Sequence, residues 1–247
     1  MRILPAFVGL CAVLSAVGAA AATSTVSEGE PRKTAAGLAE GVAAMKRGDR
    51  LVAFEMMKTY AEAGYRVAQV NLASLYLHGQ GTPRDPNAAV RWYEEAAAQG
   101  HPAAYGGLGA IHQHGWAGPR DATAALAWYR KGAAAGDTQS LFGLARMYHE
   151  GDGVRRSEGE AAKWYRMAAD RGHGKAQLLL GVMCAEGRGV PQDLVEAHMW
   201  FELAQHRLPP GQSRERARRG VDHVEAAMTP DQIGAARRMT RNWKPAE

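Results

Sequence analysis

Small and apolar residues of this chain form two kinds of stripe that alternate along the sequence. The first stripe comprises Ala68, Leu72, Leu75, Tyr76 and Gly79, and the second comprises Ala89, Trp92, Tyr93, Ala96 and Ala97. Both follow the spacing of three to four residues that marks one side of an α-helix. Each stripe therefore predicts an amphipathic helix that cannot bury its apolar face alone.

The pair of stripes repeats every 36 residues. The interval is kept by Trp92, Trp128, Trp164 and Trp200, by the aromatic residues that follow them (Tyr93, Tyr129, Tyr165, Phe201), and by Leu72, Leu108, Leu144 and Leu180. A fixed period of this length is typical of chains that stack one supersecondary unit. We interpret the tryptophans as core residues that dominate the packing between units, and not as a ligand cage.

The ends of the predicted helices are marked at the same interval. Glycines suited to the left-handed position after a helix are Gly79, Gly115, Gly151 and Gly187, with a second series at Gly64, Gly100, Gly136 and Gly172. The second helices are preceded by the capping residues Asp85, Asp121, Ser157 and Asp193. Ser157 with Glu160, and Asp193 with Glu196, predict capping boxes.

These signals divide the chain into units. We predict four repeats, at 67–102, 103–138, 139–174 and 175–205. A degenerate first unit at 34–66 precedes them. Pro209 and Pro210 end the pattern, so we predict a basic helical cap over 206–247, with one of its helices opening at Thr229. Such a cap covers the apolar face of the last repeat.

The spacing that recurs in each unit resembles that of the Sel1-like repeat, a relative of the tetratricopeptide repeat. In order along one unit, the resemblance is carried by Leu-(Ala/Gly)-x-x-Tyr, Gly-x-Gly, Asp, Ala-x-x-Trp-Tyr-x-x-Ala-Ala and Gly. Residues 67–205 match this pattern closely, and residues 34–66 match it weakly. The resemblance implies an all-α fold, a right-handed α-solenoid of helix–turn–helix units with a concave surface. Members usually act as adaptors that hold protein complexes together, and the motif brings no catalytic residue to this chain.

Residues 1–22 predict export. Arg2 is followed by a short apolar stretch and then by small residues, which is the arrangement of a secretory signal peptide. We expect cleavage after Ala20 or Ala22, a flexible linker over 23–33, and a periplasmic or secreted mature chain without a transmembrane segment. A transmembrane anchor is the alternative, although the apolar stretch is short for a span of about 20 residues.

One cysteine, Cys184, remains when the leader is removed. An intramolecular disulfide is then impossible, although an exported chain meets an oxidising compartment. Cys184 occupies the repeat position of Tyr76 and Tyr148 on the buried stripe. We therefore interpret it as a small hydrophobic residue and not as a redox or nucleophilic group.

Positive charge concentrates at the C-terminal end. The formal net charge is +5, and residues 207–247 hold nine Lys and Arg against five Asp and Glu. The densest part contains Arg214, Arg216, Arg218 and Arg219. Two interpretations stay open, a solvated helix face and a contact surface for an anionic partner. For an exported chain that partner is an anionic lipid, a glycan or an acidic protein surface, and not nucleic acid.

Residues off the repeat pattern are the candidates for partner binding, because the repeat fixes the core positions only. On the first helices these candidates are Gln69, Asn71, Ser74, Tyr105, Arg146 and His149, and in tetratricopeptide-like stacks that helix lines the concave surface. Trp116 is a further candidate because it lies in a connecting loop. It is either a partner anchor or a ring that folds over its own unit.

The sequence lacks the common motifs for catalysis, phosphate binding and metal binding. The chain has no Gly-rich phosphate loop, paired-cysteine metal pattern or nucleophile elbow. His112 and His114 are close in sequence, but a metal site needs more than two ligands. We therefore predict no metal and no cofactor.

These observations predict an exported, non-enzymatic adaptor that binds a protein or peptide of the cell envelope, in signalling or in envelope or polysaccharide assembly. The alternatives are a protein that binds cell-wall glycan and a cell-wall hydrolase with a site spread over the repeats. The best residues for a hydrolase are Glu150 and Glu186, which lie near His149 and His114 in repeat phase.

Overall fold

A computed structural model describes residues 35–246, which form twelve α-helices and no β-strand. The helices are α1 (Ala35–Arg47), α2 (Arg50–Glu62), α3 (Arg66–His78), α4 (Pro86–Ala98), α5 (Pro102–His114), α6 (Ala122–Ala134), α7 (Thr138–Glu150), α8 (Glu158–Asp170), α9 (Gly174–Glu186), α10 (Leu194–Arg207), α11 (Gln212–Glu225) and α12 (Pro230–Asn242). Within this range no helix is both long and apolar enough to span a bilayer. The predicted leader (1–22) and linker (23–33) lie outside the described residues.

The helices pack as a series of pairs. Each of α1, α3, α5, α7 and α9 packs against the helix that follows it, and the second helix of a pair packs against the first helix of the next. Some first helices also touch one another, as α5 does with α3 and α7. The predicted all-α solenoid of helix–turn–helix repeats is confirmed.

The second member of each Trp-aromatic pair is the deeper core residue. Tyr93, Tyr129, Tyr165 and Phe201 are all buried. Of the tryptophans only Trp200 is buried, whereas Trp92, Trp128 and Trp164 are partly exposed. In three of the four repeats tryptophan is therefore not the deepest core residue, contrary to the prediction that it dominates the core. Trp92 and Trp164 still pack between units, each against two neighbouring buried clusters.

Glycines make room for the deeper rings. Tyr129 lies between Gly109 of its own unit and Gly143 of the next, and a Cβ at either glycine would come within 2.5 Å of the ring. Phe201 is enclosed in the same way by Gly181 of α9 and Gly220 of α11, where a Cβ would approach to 2.8 Å. The backbones of two helices therefore contact each ring from opposite sides.

Gly143→Ala is expected to lower the free energy of unfolding by about 1–3 kcal/mol, because the added methyl group enters space that the Tyr129 ring occupies. Urea unfolding measures the change. Gly234→Ala is the matched control, since its neighbour is the flexible guanidinium of Arg238 at 3.4 Å. The control is expected to gain about 0.5–1 kcal/mol from helix propensity. The close packing of Tyr129 against Gly143 would be contradicted if both substitutions stabilised the chain.

The predicted caps of the second helices are all present. The side chains of Asp85, Asp121, Ser157 and Asp193 accept hydrogen bonds from backbone N–H groups three residues later, at 2.9, 2.9, 3.2 and 2.9 Å. Both predicted capping boxes are only half formed. Glu160 pairs with Lys163, and Glu196 with Arg166, because a charged partner competes with the backbone N–H. The four glycines after α3, α5, α7 and α9 have the predicted left-handed φ, between 63° and 74°.

Asp121→Ala is expected to cost about 1 kcal/mol of stability, because it leaves the N–H of Ala124 in the first turn of α6 without its acceptor. Asp121 is exposed, so the cap is the main interaction lost. Asp121→Asn keeps an acceptor of the same length and is expected to lie within a few tenths of a kcal/mol of the parent. Thermal or urea unfolding of the two variants checks this, and equal losses would show that charge matters more than the cap.

The last two helices close the C-terminal end. α11 packs on α9 and α10, and α12 packs on α10. Ala217 and Val224 of α11 are buried. α12 begins after Thr229, as predicted, and Thr229 and Gln232 form a capping box there. Beyond α12, Trp243 packs against the last buried cluster. The two helices thus cover apolar surface of the final repeat.

Candidate partner-binding surfaces

Two of the predicted partner-binding residues take part in packing between repeats. Gln69 is buried, and its Nε2 donates to the backbone carbonyl of Ala61 at 3.4 Å. The hydroxyl of Tyr105, at the same repeat position, donates to the carbonyl of Ala97 at 3.3 Å, and Gln177 makes the equivalent bond at 3.1 Å. The prediction that Gln69 lies outside the core is wrong, because in three of the four repeats the side chain at this position bonds the first helix to the preceding second helix.

Several exposed side chains lie together at the C-terminal ends of the first helices. His78, His114 and Glu150 occupy one repeat position at the ends of α3, α5 and α7. Trp116 stacks on His114, and Arg146 pairs with Glu150. We call these five residues the helix-end row. Because equivalent positions of a regular stack lie on one side of it, the row extends across three repeats.

Trp116 is an exposed aromatic ring of this row. Its side chain is 38 % exposed, and its ring lies 4.7 Å from the ring of His114. Together with His78 and Arg84 it lines a shallow cavity of about 290 Å³. The ring rests on its own unit, as one of the two sequence interpretations expects, and its role as a partner anchor stays a prediction. A ring held in this way is suited to anchor a partner, because little side-chain entropy is lost on binding.

Charge surrounds this ring pair. The guanidinium of Arg146 lies 3.0 Å from the carboxylate of Glu150, one turn further along α7. Burial, together with the charges of Arg146 and Arg120, lowers the pKa of His114. The imidazole beneath Trp116 is therefore neutral at neutral pH. The helix-end row thus offers an uncharged aromatic stack beside an ion pair.

The other first-helix candidates lie outside the row. His149 turns toward the second helix of its own unit, where its Nδ1 is 3.0 Å from the carboxylate of Glu158. Burial raises the pKa of Glu158, but the bonds from Arg156 and His149 outweigh it and the pKa is lowered. Asn71 and Ser74 are partly buried on α3. His149 is therefore engaged within its unit.

Sequence reasoning missed a polar network beneath the connecting loops. The carboxylate of Asp152 accepts from Nε2 of Gln113 at 3.0 Å and pairs with Arg120 at 2.5 Å. The hydroxyl of Tyr129 donates to Oε1 of Gln113 at 3.0 Å. Burial opposes ionisation of Asp152, but Arg120 and Gln113 outweigh it and lower the pKa. The one sequence signal is Gln113 itself, a polar residue where the preceding unit has Leu77.

The four candidate arginines of α11 do not form one free positive surface. Arg214 donates to a backbone carbonyl of α10 at 2.8 Å. Arg218 pairs with carboxylates of its own helix, including Glu215 at 2.7 Å. Arg216 makes no hydrogen bond or ion pair with the other described residues, and Arg219 reaches Glu215 only at 3.9 Å. Arg216 and Arg219 are therefore the two that remain for an anionic partner.

Residues considered for chemistry are engaged elsewhere. Glu150 pairs with Arg146, and Glu186 pairs with Arg188 at 2.6 Å. Burial raises the pKa of Cys184 to about 12, so the thiol is protonated and packs as a small apolar group. Among residues 35–246 no three metal-ligating side chains lie together.

The stacked pairs, their repeated caps and their enclosed aromatic rings define an α-solenoid repeat protein. A family model of the Sel1 repeat matches residues 66–101, 102–137, 138–173 and 174–204. The chain belongs to the Sel1 repeat family. Sel1 repeats generally mediate protein–protein interaction, and scaffold families built from them are typically non-enzymatic.

Solved structures show the same fold. A Sel1 repeat protein from Oxalobacter formigenes is 28% identical, with a TM-score of 0.63 over 78% of this chain and 87% of that chain. A Sel1 repeat protein of Klebsiella pneumoniae subsp. pneumoniae is 21% identical, with a TM-score of 0.53 over 76% and 99% of the two chains. The immunity protein Pa5087 of Pseudomonas aeruginosa is 18% identical, with a TM-score of 0.52 over 84% and 83%. No curated protein sequence matches the chain significantly.

Proposed function

We propose that this chain is an exported scaffold that binds a protein partner of the cell envelope through the helix-end row. The observation that carries the proposal is Trp116, a partly exposed ring held on His114 beside the Arg146–Glu150 ion pair. Tryptophan and arginine are the residue types that contribute most to binding energy at protein interfaces. Helix ends also hold these side chains at fixed spacing, which lowers the entropic cost of binding.

The capture of partners from envelope extracts tests the binding surface. A variant carrying Trp116→Ala and Arg146→Ala is expected to recover at least about tenfold less partner, the loss typical of interface residues of this kind. Met167→Ala with Arg130→Ala is the matched control, since both residues are exposed and lie on second helices, α8 and α6. Equal recovery by the two double variants would contradict the proposed surface. The recovered partner identifies whether the scaffold serves signalling or envelope assembly.

Export is the second part of the proposal and rests on the leader. Arg2, the apolar stretch and the small residues up to Ala22 support it. Cell fractionation is expected to place the chain in the periplasm or the medium, and N-terminal sequencing is expected to begin at Ala21 or Thr23. Recovery of a cytoplasmic chain with its first residues intact would contradict export and leave the binding surface to be judged separately.

A further inference from the structure

A cavity of about 570 Å³ lies between the last repeat and the C-terminal helices. Its walls come from α9, α10 and α11, and its apolar lining includes Val182, Leu194, Phe201 and Val224. Phe201 and Val224 are buried and form the floor, while Val182 and Leu194 are partly exposed. The volume falls within the range of about 300–1,000 Å³ that is typical of ligand pockets. The cavity therefore has room for large apolar side chains of a partner.

One rim of this cavity is positively charged. Arg216, Arg219 and His223 line it from α11. Arg216 has no partner among the described residues, and Arg219 lies 3.9 Å from Glu215, which another arginine holds more closely. Glu186 lines the opposite rim, but it is paired with an arginine at 2.6 Å. The rim thus carries the charge of Arg216, which pairs with no described carboxylate, and that of Arg219, which Glu215 meets only at 3.9 Å.

The cavity also lies on the path of the helix-end row. Val182 and Glu186, which line it, occupy in the fourth repeat the positions that Arg146 and Glu150 occupy in the third. In the first three repeats this side of the solenoid carries the row. In the last repeat it carries a cavity, whose wall is completed by α11.

We propose that this cavity binds an acidic segment of the protein partner, with an apolar side chain of that segment on the floor and its carboxylates against Arg216 and Arg219. The inference rests on the proposed function and names the chemistry of the partner. Carboxylates suit guanidinium groups, which bind them through two parallel hydrogen bonds. Because the floor is apolar and the arginines stand at one rim, the segment must combine apolar and acidic side chains within a few residues.

The shape of the cavity argues against other anionic partners. A nucleic acid duplex presents phosphates on its outside but no projecting apolar side chain that could reach a floor made of Phe201 and Val224. A flat membrane surface contacts the rim but does not reach a floor enclosed by three helices. A peptide side chain reaches that floor and carries its neighbours past the rim.

Fluorescence anisotropy with synthetic peptides tests the inference on the mature chain. The probe is a labelled peptide with two leucines flanked by glutamates, and its counterpart has glutamine at every glutamate. The parent chain is expected to bind the glutamate peptide at least about tenfold more tightly, with an affinity that falls as salt rises. Arg216→Gln and Arg219→Gln are each expected to weaken binding about tenfold.

Two further variants separate charge from shape. Ala227→Trp places a large ring at an exposed position on the cavity lining and is expected to abolish binding. Arg241→Gln removes one exposed positive charge on α12, outside the cavity, and is expected to leave binding unchanged. Far-ultraviolet circular dichroism and urea midpoints verify that each variant is folded.

Equal binding of the two peptides would overturn the inference. Binding of the glutamate peptide that survives Ala227→Trp would also overturn it. So would retention of the chain on anionic lipid vesicles that Ala227→Trp leaves unchanged, since the arginines would then bind a membrane. If the Arg216 and Arg219 variants still capture the envelope partner, the cavity inference fails and the proposed function stands. If the Trp116 and Arg146 variants capture as well as the parent does, the proposed surface fails and the peptide measurement still decides the cavity.

Discussion

Tyr129→Ala is expected to lower the free energy of unfolding by about 3–5 kcal/mol, the cost of removing a large buried ring. Tyr129 is 2 % exposed and lies between two helix backbones, at Gly109 and Gly143. Because helix backbones on both sides hold the space open, the structure can collapse only partly around the cavity. Urea unfolding monitored by circular dichroism measures the loss.

Two controls divide this loss into its parts. Tyr129→Phe keeps the ring and removes the hydroxyl that donates to Gln113, so it is expected to cost about 1 kcal/mol. Trp128→Ala removes the larger but partly exposed neighbour and is expected to cost less than Tyr129→Ala. A larger loss for Trp128→Ala would restore tryptophan as the main core residue between units.

Acidification from pH 6.5 to pH 4 is expected to remove up to about 3 kcal/mol of stability through His173 alone. Burial, with the nearby charge of Lys175, lowers the pKa of His173 to about 4, against about 6.5 in an unfolded chain. Between these values the unfolded chain binds a proton that the native chain does not bind. The contribution of His173 to stability is therefore fully present above pH 6.5 and falls as pH falls. Each pH unit in this window is worth about 1.4 kcal/mol.

The structural cause lies at the start of α9. Nδ1 of His173 accepts a hydrogen bond from the backbone N–H of Ala176 at 3.1 Å, and the ring stacks on Phe142 at 4.3 Å. Protonation therefore adds charge to a partly buried ring and places a hydrogen on the capping acceptor. His173→Asn keeps a capping acceptor without a group that titrates in this range. From pH 6.5 to pH 4 the free energy of unfolding of the parent, measured in urea, is expected to fall steadily relative to that of the variant. A constant difference between the two would contradict the assignment.

The repeat made most of the fold predictable. Periodic residues such as Leu72, Gly79 and Asp85 fix which segments are helical, where they end and which faces are buried, and all three act as expected. These properties depend on local spacing and on hydrogen bonds within a few residues. The same signals recur in each unit, so an error in one unit is corrected by the others.

The candidate site was less predictable, because the exposure of a non-core residue depends on neighbours far away in sequence. Gln69 follows no apolar pattern, yet it is buried because it bonds to the end of the previous unit. His149 is partly exposed but is held by Glu158. The sequence marks Trp116 as unusual, and only the structure shows that it rests on His114.

The chain by itself determined a solenoid of paired helices, because helical spacing, capping residues and a period of 36 residues are local properties of the sequence. Only the tertiary structure decided which aromatic ring fills each interface, since one residue of difference turns a side chain about 100° around a helix. It also decided that Tyr129, and not Trp128, lies between the glycines of two units. Likewise, Arg216 and Arg219 stand apart from the other arginines of α11 only because packing placed acceptors beside Arg214 and Arg218. Contacts between segments that are far apart in sequence set burial and pairing, and local sequence patterns do not specify these contacts.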